Sequence, residues 1–193
     1  MKYLVHVRPP HELVEKMDSL LDITPVVERY LRLPHCTIMR LHSHSKNERR
    51  IIDEVRALAA GTDEFPLFTD ELDLYSGSDG VSRTILNLKL QRSDALYGFH
   101  QLCITALVKY IDWSEARSAL RVVPDNDTWR RYGDSFYGEA FAPHITLAKI
   151  DPAAFAALDA HQLAGFAWRV KTIYISRRDQ RGWTTIAELP LRS

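Results

Sequence analysis

The sequence predicts a mixed α+β (α/β) fold whose two halves echo each other. Strand-like and helix-like runs follow the order strand–helix–strand–helix–strand–strand–helix–strand–helix–strand–strand. One pattern, Pro-His-x-Thr followed by an apolar residue, occurs twice: Pro34-His35-Cys36-Thr37-Ile38 and Pro143-His144-Ile145-Thr146-Leu147. Each copy falls in a strand-like run of its own half, His35 to Leu41 and His144 to Ile150, which hints at an internal duplication.

Taken in order, Lys2 to Arg8 reads as a strand stopped by Pro9-Pro10. His11 to Leu21 reads as a helix, because Leu13, Met17, Leu20 and Leu21 recur at helical spacing. Thr24-Pro25 has the form of a helix start with proline at the first helical position, so a short helix is expected over Val26 to Leu31. Asn47 to Ala60 is a second helix, apolar at Ile51, Ile52, Val55, Leu58 and Ala59 and closed by Gly61. Strands are expected near Pro66 to Tyr75 and Ser82 to Leu90, joined by the turn chemistry of Ser76-Gly77-Ser78-Asp79-Gly80. Asp94 to Tyr110 carries Leu96, Phe99, Cys103, Ala106, Leu107 and Tyr110 in helical register. The stretch 112–140 is irregular and rich in Arg, Asp, Gly and aromatics. Beyond the second motif, Pro152 to His161 reads as a short Ala-rich helix. Phe166 to Arg177 and Trp183 to Leu191 read as a closing strand pair around Asp179-Gln180-Arg181-Gly182.

The 193 residues suffice for one domain, or one two-lobed domain, with a sizeable core. Twenty-five basic residues balance 25 acidic ones. That balance argues against a large basic nucleic-acid footprint, but suits a small phosphoester or RNA held only at its end. Cys36 and Cys103 form neither a disulfide framework nor a metal-ligand spacing. Met1 to Val7 is apolar but meets Arg8-Pro9-Pro10 too soon for a signal h-region, and no apolar run approaches membrane-spanning length. A cytoplasmic monomer with no membrane partner is the expectation.

The motif spacing carries chemistry. Side chains two apart on a strand share a face, so His35 joins Thr37 and His144 joins Thr146. Cys36 and Ile145 then anchor the opposite face. Two such strands side by side place two imidazoles and two hydroxyls around one small anionic group. Of the eight histidines, only these two have Ser or Thr two positions later. The others read differently: His42-Ser43-His44 as a solvated loop, with metal binding the weaker alternative because no Cys or carboxylate cluster accompanies it. His6 and His100 read as structural, with His6 able to border a cleft, and His11 and His161 as surface residues. Trp129-Arg130-Arg131-Tyr132, with Phe136 and Tyr137, mixes cations and aromatics as base-stacking surfaces do, or is a loop anchored by aromatics. Phe141, just before the second motif, reads as a base platform or as core. Trp113, Trp168 and Trp183 read as packing residues.

The two motifs resemble the paired His-x-Thr-x signatures of the 2H phosphoesterase superfamily. The run from Phe141 to Lys149 is especially similar to its RNA 2′,3′-cyclic phosphodiesterase / 2′-5′ RNA ligase branch. The likeness runs end to end. It implies a two-lobed, pseudo-symmetric fold with antiparallel-rich sheets around a central cleft, one motif on each wall. It further implies metal-independent phosphodiester chemistry with no cofactor. The catalytic pair carries over to His35 and His144, with His35 the proton donor and His144 the acceptor in hydrolysis. Thr37 and Thr146 carry over as hydroxyls binding the phosphate. Many members have Arg where this chain has Lys149, so Lys149 becomes a substrate-binding candidate beside Phe141. Strict alternation puts Lys149, and Arg40 at the same offset in the first motif, on the face opposite the histidines. The expected substrate is an RNA 3′-end or a cyclic nucleotide, with reverse 2′-5′ ligation as the same chemistry run backwards. A phosphodiesterase for a small nucleotide metabolite and a non-catalytic RNA-end or nucleotide-binding module stay open. A metal hydrolase is the weakest reading.

Overall fold

A computed structural model describes residues 1–30, 33–76, 84–118, 127, 130, 137–180 and 182–193. Among these, nine strands form one antiparallel, curled sheet: β1 Lys2–Val7, β2 Val26–Arg29, β3 Cys36–His42, β4 Phe65–Ser76, β5 Thr84–Leu90, β6 His144–Ile150, β7 Ala167–Val170, β8 Thr172–Asp179 and β9 Gly182–Pro190. Eight follow the path β7-β4-β5-β6-β3-β1-β8-β9, and β2 pairs with β6. Cutting this path between β6 and β3 gives two lobes of four strands, each with a motif strand innermost. The expected mixed α+β, two-lobed, pseudo-symmetric architecture is the one observed.

The helices are α1 His11–Ile23, α2 Glu48–Ala60, α3 Asp94–Leu107, α4 Trp113–Ser118 and α5 Pro152–Ala156. Their apolar stripes are those the spacing picks out: Leu13, Met17, Leu20 and Leu21 on α1, and Ile51, Val55 and Ala59 on α2, are all buried. Ser93 caps α3 by accepting from the Leu96 N–H, and Asp151 caps α5 by accepting from Ala153. Helices α2 and α3 pack on each other, α3 against β3 and α2 against β8 and β9. Both cysteines are buried and free.

Two expectations about elements fail. Val26 to Arg29 is a strand, not the start of a helix: it hydrogen-bonds along the outer edge of β6, with Val26 opposite Ile150 and Arg29 opposite Ala148. An unpaired edge offers a full ladder of hydrogen bonds, which outweighs a helix-start signal at a β-branched pair. Phe166 to Arg177 is two strands. The chain changes lobes at Lys171, with β7 pairing β4 and β8 pairing β1. The residues 77–80 of the proposed hairpin turn lie outside the described residues.

The two motif strands meet at one pair of residues, Cys36 opposite Ile145. Each strand then runs off in its own direction, and its exposed edge is covered by the segment leading into the other motif. On β6, the Leu147 carbonyl accepts from the Tyr30 N–H at 2.8 Å. On β3, the Ile38 carbonyl accepts from His100 Nδ1 at 2.6 Å, and the Tyr137 hydroxyl accepts from the Arg40 N–H at 2.6 Å while donating to the Arg40 carbonyl. His100 Nε2 accepts from the Gly138 N–H at 3.1 Å, so both ring nitrogens are committed and the tautomer is fixed. Replacing Tyr137 by Phe removes both bonds from the β3 edge. We expect a loss of about 1–3 kcal/mol in urea unfolding; an unchanged midpoint would show that the cap contributes nothing.

On β1, His6 is fully buried, with Nε2 2.9 Å from Ser176 Oγ. Burial, with the charges of His35 and Arg8 adding to it, pushes its pKa down to about 3. An unfolded histidine titrates near ~6.5. Between these values the unfolded chain binds the proton and the folded chain does not. This contribution to stability is therefore complete above pH ~6.5 and is lost as pH falls toward 3, by up to ~1.4 kcal/mol per pH unit. His6→Gln should flatten the stability–pH curve of the wild type over pH 4–6.5; parallel curves would refute the assignment.

Candidate active site

Antiparallel counting outward from the Cys36–Ile145 pair sets His35 opposite Thr146 and Thr37 opposite His144. Each histidine thus faces the other motif's threonine, and the two histidines lie on a diagonal. Diagonal positions on a sheet are separated by roughly 7–8 Å, room for a tetrahedral phosphate between two imidazoles. All four side chains line one cavity of about 450 Å³. Cys36 and Ile145 are buried behind the strands, as the alternation predicts.

Each imidazole is oriented in the same way. His35 Nδ1 lies 2.6 Å from the Leu33 carbonyl, and His144 Nδ1 lies 2.8 Å from the Ala142 carbonyl, two residues upstream in both cases. A carbonyl only accepts, so each Nδ1 carries the proton and each Nε2 is left for chemistry. In the neutral ring Nε2 is a base; in the protonated ring it is an acid. The two environments differ. Burial holds the His35 pKa below its ordinary value; the charges of His144 and Arg8 act in the same direction, and the Leu33 carbonyl opposes them.

Both motifs carry a β-bulge at the same position. Opposite β1, the register runs from Thr37–His6 to Met39–Val5 and skips Ile38. Opposite β5, it runs from Thr146–Asn87 to Ala148–Leu86 and skips Leu147. One extra residue flips the side-chain parity beyond it. This is why Ile38 and Met39 are both buried, as are Leu147 and Ala148. It also corrects the strict-alternation expectation for Arg40 and Lys149. Arg40 lines the cavity. Lys149 stands opposite Ile85, itself a cavity residue, and so shares the concave face. Lys149 is nonetheless not among the cavity-lining residues, and sits in register between Ile85 and Glu28 of β2.

Phe141 lines the cavity and stacks on His100, with ring centroids 4.0 Å apart and planes 10° from parallel. His100 therefore supports the Phe141 ring and the bulge carbonyl at once, more than the plain structural role read from sequence. Tyr137 also lines the cavity. Of the Trp129–Tyr132 segment only Arg130 is described, and Phe136 lies outside the described residues as well. His44 Nε2 lies 3.2 Å from the Asp112 carboxylate. Among the described residues no group of three or more His, Cys, Asp or Glu is placed to hold a metal, and no helix is long and apolar enough to cross a membrane.

The sequence reading placed a strand over Ser82 to Leu90 but missed that its side chains belong to the site. β5 sends Asn87 and Lys89 into the cavity, in register with Thr146 and His144. Asn87 is 8% exposed and its Oδ1 has no hydrogen-bond partner. Lys89 Nζ is held by Glu71 at 3.1 Å and Asp73 at 3.2 Å. The available signal was Asn87 and Lys89 alternating with leucines in an otherwise apolar strand.

The fold is shared with solved structures. TT0787 of Thermus thermophilus is similar in fold, at 18% identity and a TM-score of 0.69 over 100% of this chain and 99% of that one. LigT of E. coli complexed with 3′-AMP is 15% identical, with a TM-score of 0.58 over 100% of this chain and 98% of that one. Usb1 of Kluyveromyces marxianus is 12% identical, with a TM-score of 0.51 over 98% of both chains. No curated protein is significantly similar in sequence. The family model for the 2′-5′ RNA ligase superfamily matches residues 8–182, and with both motifs inside that span the chain belongs to that superfamily.

Proposed function

We propose that this chain is a phosphodiesterase that opens 2′,3′-cyclic phosphates, or cleaves 2′-5′ phosphodiesters, on RNA ends or nucleotides. The observation that carries the reading is the diagonal pair of Nδ1-anchored imidazoles, His35 and His144, with Thr37 and Thr146 in one cavity. The superfamily supports phosphodiester chemistry in general, and LigT, similar in fold, has been solved with 3′-AMP.

The reaction needs one base and one acid on opposite sides of phosphorus. Water attacks in line and gives its proton to a neutral Nε2. The leaving 2′- or 3′-oxygen takes a proton from the other, protonated Nε2, and the P–O bond to it breaks. The two rings exchange charge states, and solvent resets them. Thr37 and Thr146 donate to the non-bridging oxygens, where negative charge builds up. Phe141 gives the base a stacking surface, and Lys149 is the candidate for contact at the cavity margin. In ligation a 5′-hydroxyl takes the place of water: it gives its proton to the neutral Nε2 and bonds to phosphorus, while the 3′-oxygen leaves with a proton from the other ring, giving a 2′-5′ phosphodiester. The histidines supply both proton transfers, so no metal is needed. One catalytic domain, with a motif from each lobe, completes the site.

The lowered pKa of His35 keeps its ring neutral to lower pH. We assign His35 as the acceptor and His144 as the donor in hydrolysis, the reverse of the order implied by the family resemblance.

With chelator present, wild type should convert a 2′,3′-cyclic nucleotide to a single phosphomonoester. His35→Ala and His144→Ala should each lose at least ~10²-fold in kcat/KM. The kcat/KM profile should be bell-shaped, with its acidic limb below pH ~6.5 where His35 protonates; a flat profile over pH 5–9 would sink the scheme. The order of the roles is read with a p-nitrophenyl phosphodiester, whose leaving group needs no acid. It should largely restore His144→Ala and leave His35→Ala impaired. Rescue of His35→Ala instead would reverse the assignment.

A further inference from the structure

One polar cluster beside the cavity has no part in the chemistry above. β1 sends His6 to the concave face next to Thr37, and its register, continued one residue past the Val7–Cys36 pair, sets Arg8 beside His35. The Arg8 Nη2 donates to the Thr185 hydroxyl, and the guanidinium lies over the Tyr174 ring, 4.1 Å from its centroid. Thr185 Oγ1 is 3.4 Å from Ser176 Oγ, which is 2.9 Å from His6 Nε2. The His6 ring meets His35 edge-on, with centroids 5.2 Å apart. Three strands, β1, β8 and β9, thus fix one guanidinium beside one motif histidine.

The matching position in the other lobe is Lys89, beside His144, and its charge is cancelled by Glu71 and Asp73. Among the described residues, Arg8 has no carboxylate within ion-pair distance; its partners are a hydroxyl and an aromatic face. A cation held in place without a counter-ion is pre-organised for an incoming anion. That anion is not the phosphate between the histidines. Both histidines and both threonines line the cavity, and Arg8 does not. Arg8 directly follows β1, the strand on the far side of β3 from β6.

We propose that Arg8 binds a second phosphate of the substrate, the one on the 5′ side of the nucleotide whose 2′,3′-cyclic phosphate lies between His35 and His144. This rests on the function proposed above. The base then stacks toward Phe141, and the sugar–phosphate chain leaves across β3 toward β1. The ligand class is a 5′-phosphorylated nucleotide, whether a free monoester or the next link of an RNA strand.

Three substrates test this: a nucleoside 2′,3′-cyclic phosphate, the same with a 5′-phosphate, and a dinucleotide ending in the cyclic phosphate. Wild type should prefer one or both of the 5′-phosphorylated substrates by about tenfold or more in kcat/KM. A preference for both identifies a phosphate group as sufficient; a preference for the dinucleotide alone identifies the strand. Arg8→Gln should raise KM for the preferred substrate at least tenfold more than for the plain cyclic nucleotide, with Arg8→Lys in between. Equal loss on all three substrates, or no preference in wild type, would overturn the proposal. Calorimetry separates it from the activity itself. Adenosine 3′,5′-bisphosphate should bind wild type more tightly than 3′-AMP does, and Arg8→Gln should abolish the difference. If wild type turns over no cyclic phosphate yet shows this difference, the function reading fails and the phosphate site stands. If it shows no difference, the site fails.

Discussion

The one ladder pair between the motif strands, Cys36 with Ile145, is the constraint on which the rest of this protein depends. Both side chains are fully buried, so the pair is anchored from behind by the core and cannot slide without exposing apolar surface. A one-residue slip would turn both His-x-Thr faces away from the cavity. The antiparallel sense of the contact makes each histidine face the partner motif's threonine rather than its own copy. Two identical short motifs thereby produce four different positions around one anion. A parallel arrangement would set like against like and lose the diagonal.

A contact this short leaves most of each motif strand with a bare edge, and the fold closes those edges with side chains that also shape the cavity. The Ile38 and Leu147 carbonyls, at the two bulges, accept from His100 and from the Tyr30 N–H. Tyr137 closes the Arg40 backbone. His100 stacks under Phe141, and Tyr137 lines the cavity, so the hydrogen bonds that finish the sheet also set the aromatic wall. The bulges themselves turn Arg40 toward the cavity that a regular strand would have denied it.

The motifs, the strand that carries each, the three long helices and the mixed α+β class were legible in the sequence because they depend on local periodicity and residue type. The failures are all decisions made at long range. Val26 to Arg29 pairs with residues more than a hundred positions away, and nothing local distinguishes its Thr24-Pro25 entry from a helix start. Lys171 looks like any strand residue, yet the chain there leaves one lobe for the other. The bulges at Ile38 and Leu147 are invisible to alternation, although two consecutive buried apolar residues in each motif strand, Ile38-Met39 and Leu147-Ala148, are their trace. Arg8 and Lys89 gain meaning only from standing in register beside His35 and His144. In the site, sequence supplied the reacting groups and tertiary pairing supplied their neighbours.

The repeated motif creates a difficulty that those neighbours resolve. Acid–base catalysis needs one imidazole neutral while the other is charged, and two copies of one motif in equivalent surroundings would titrate together. Here the anchoring carbonyl is the same for both rings, so it cannot tell them apart. Burial is the first influence on His35, and the flanking strands of the two lobes carry different charges. Burial disfavours a positive charge on His35, and the Arg8 charge beside β1 acts in the same direction, while the His6 ring packs edge-on against it. β5 puts beside His144 a lysine already paired with two carboxylates. The symmetry is kept where it fixes geometry, in the motif and its bulge. It is broken one strand away, where only electrostatics is affected, and so the two halves are free to differ in charge without differing in shape.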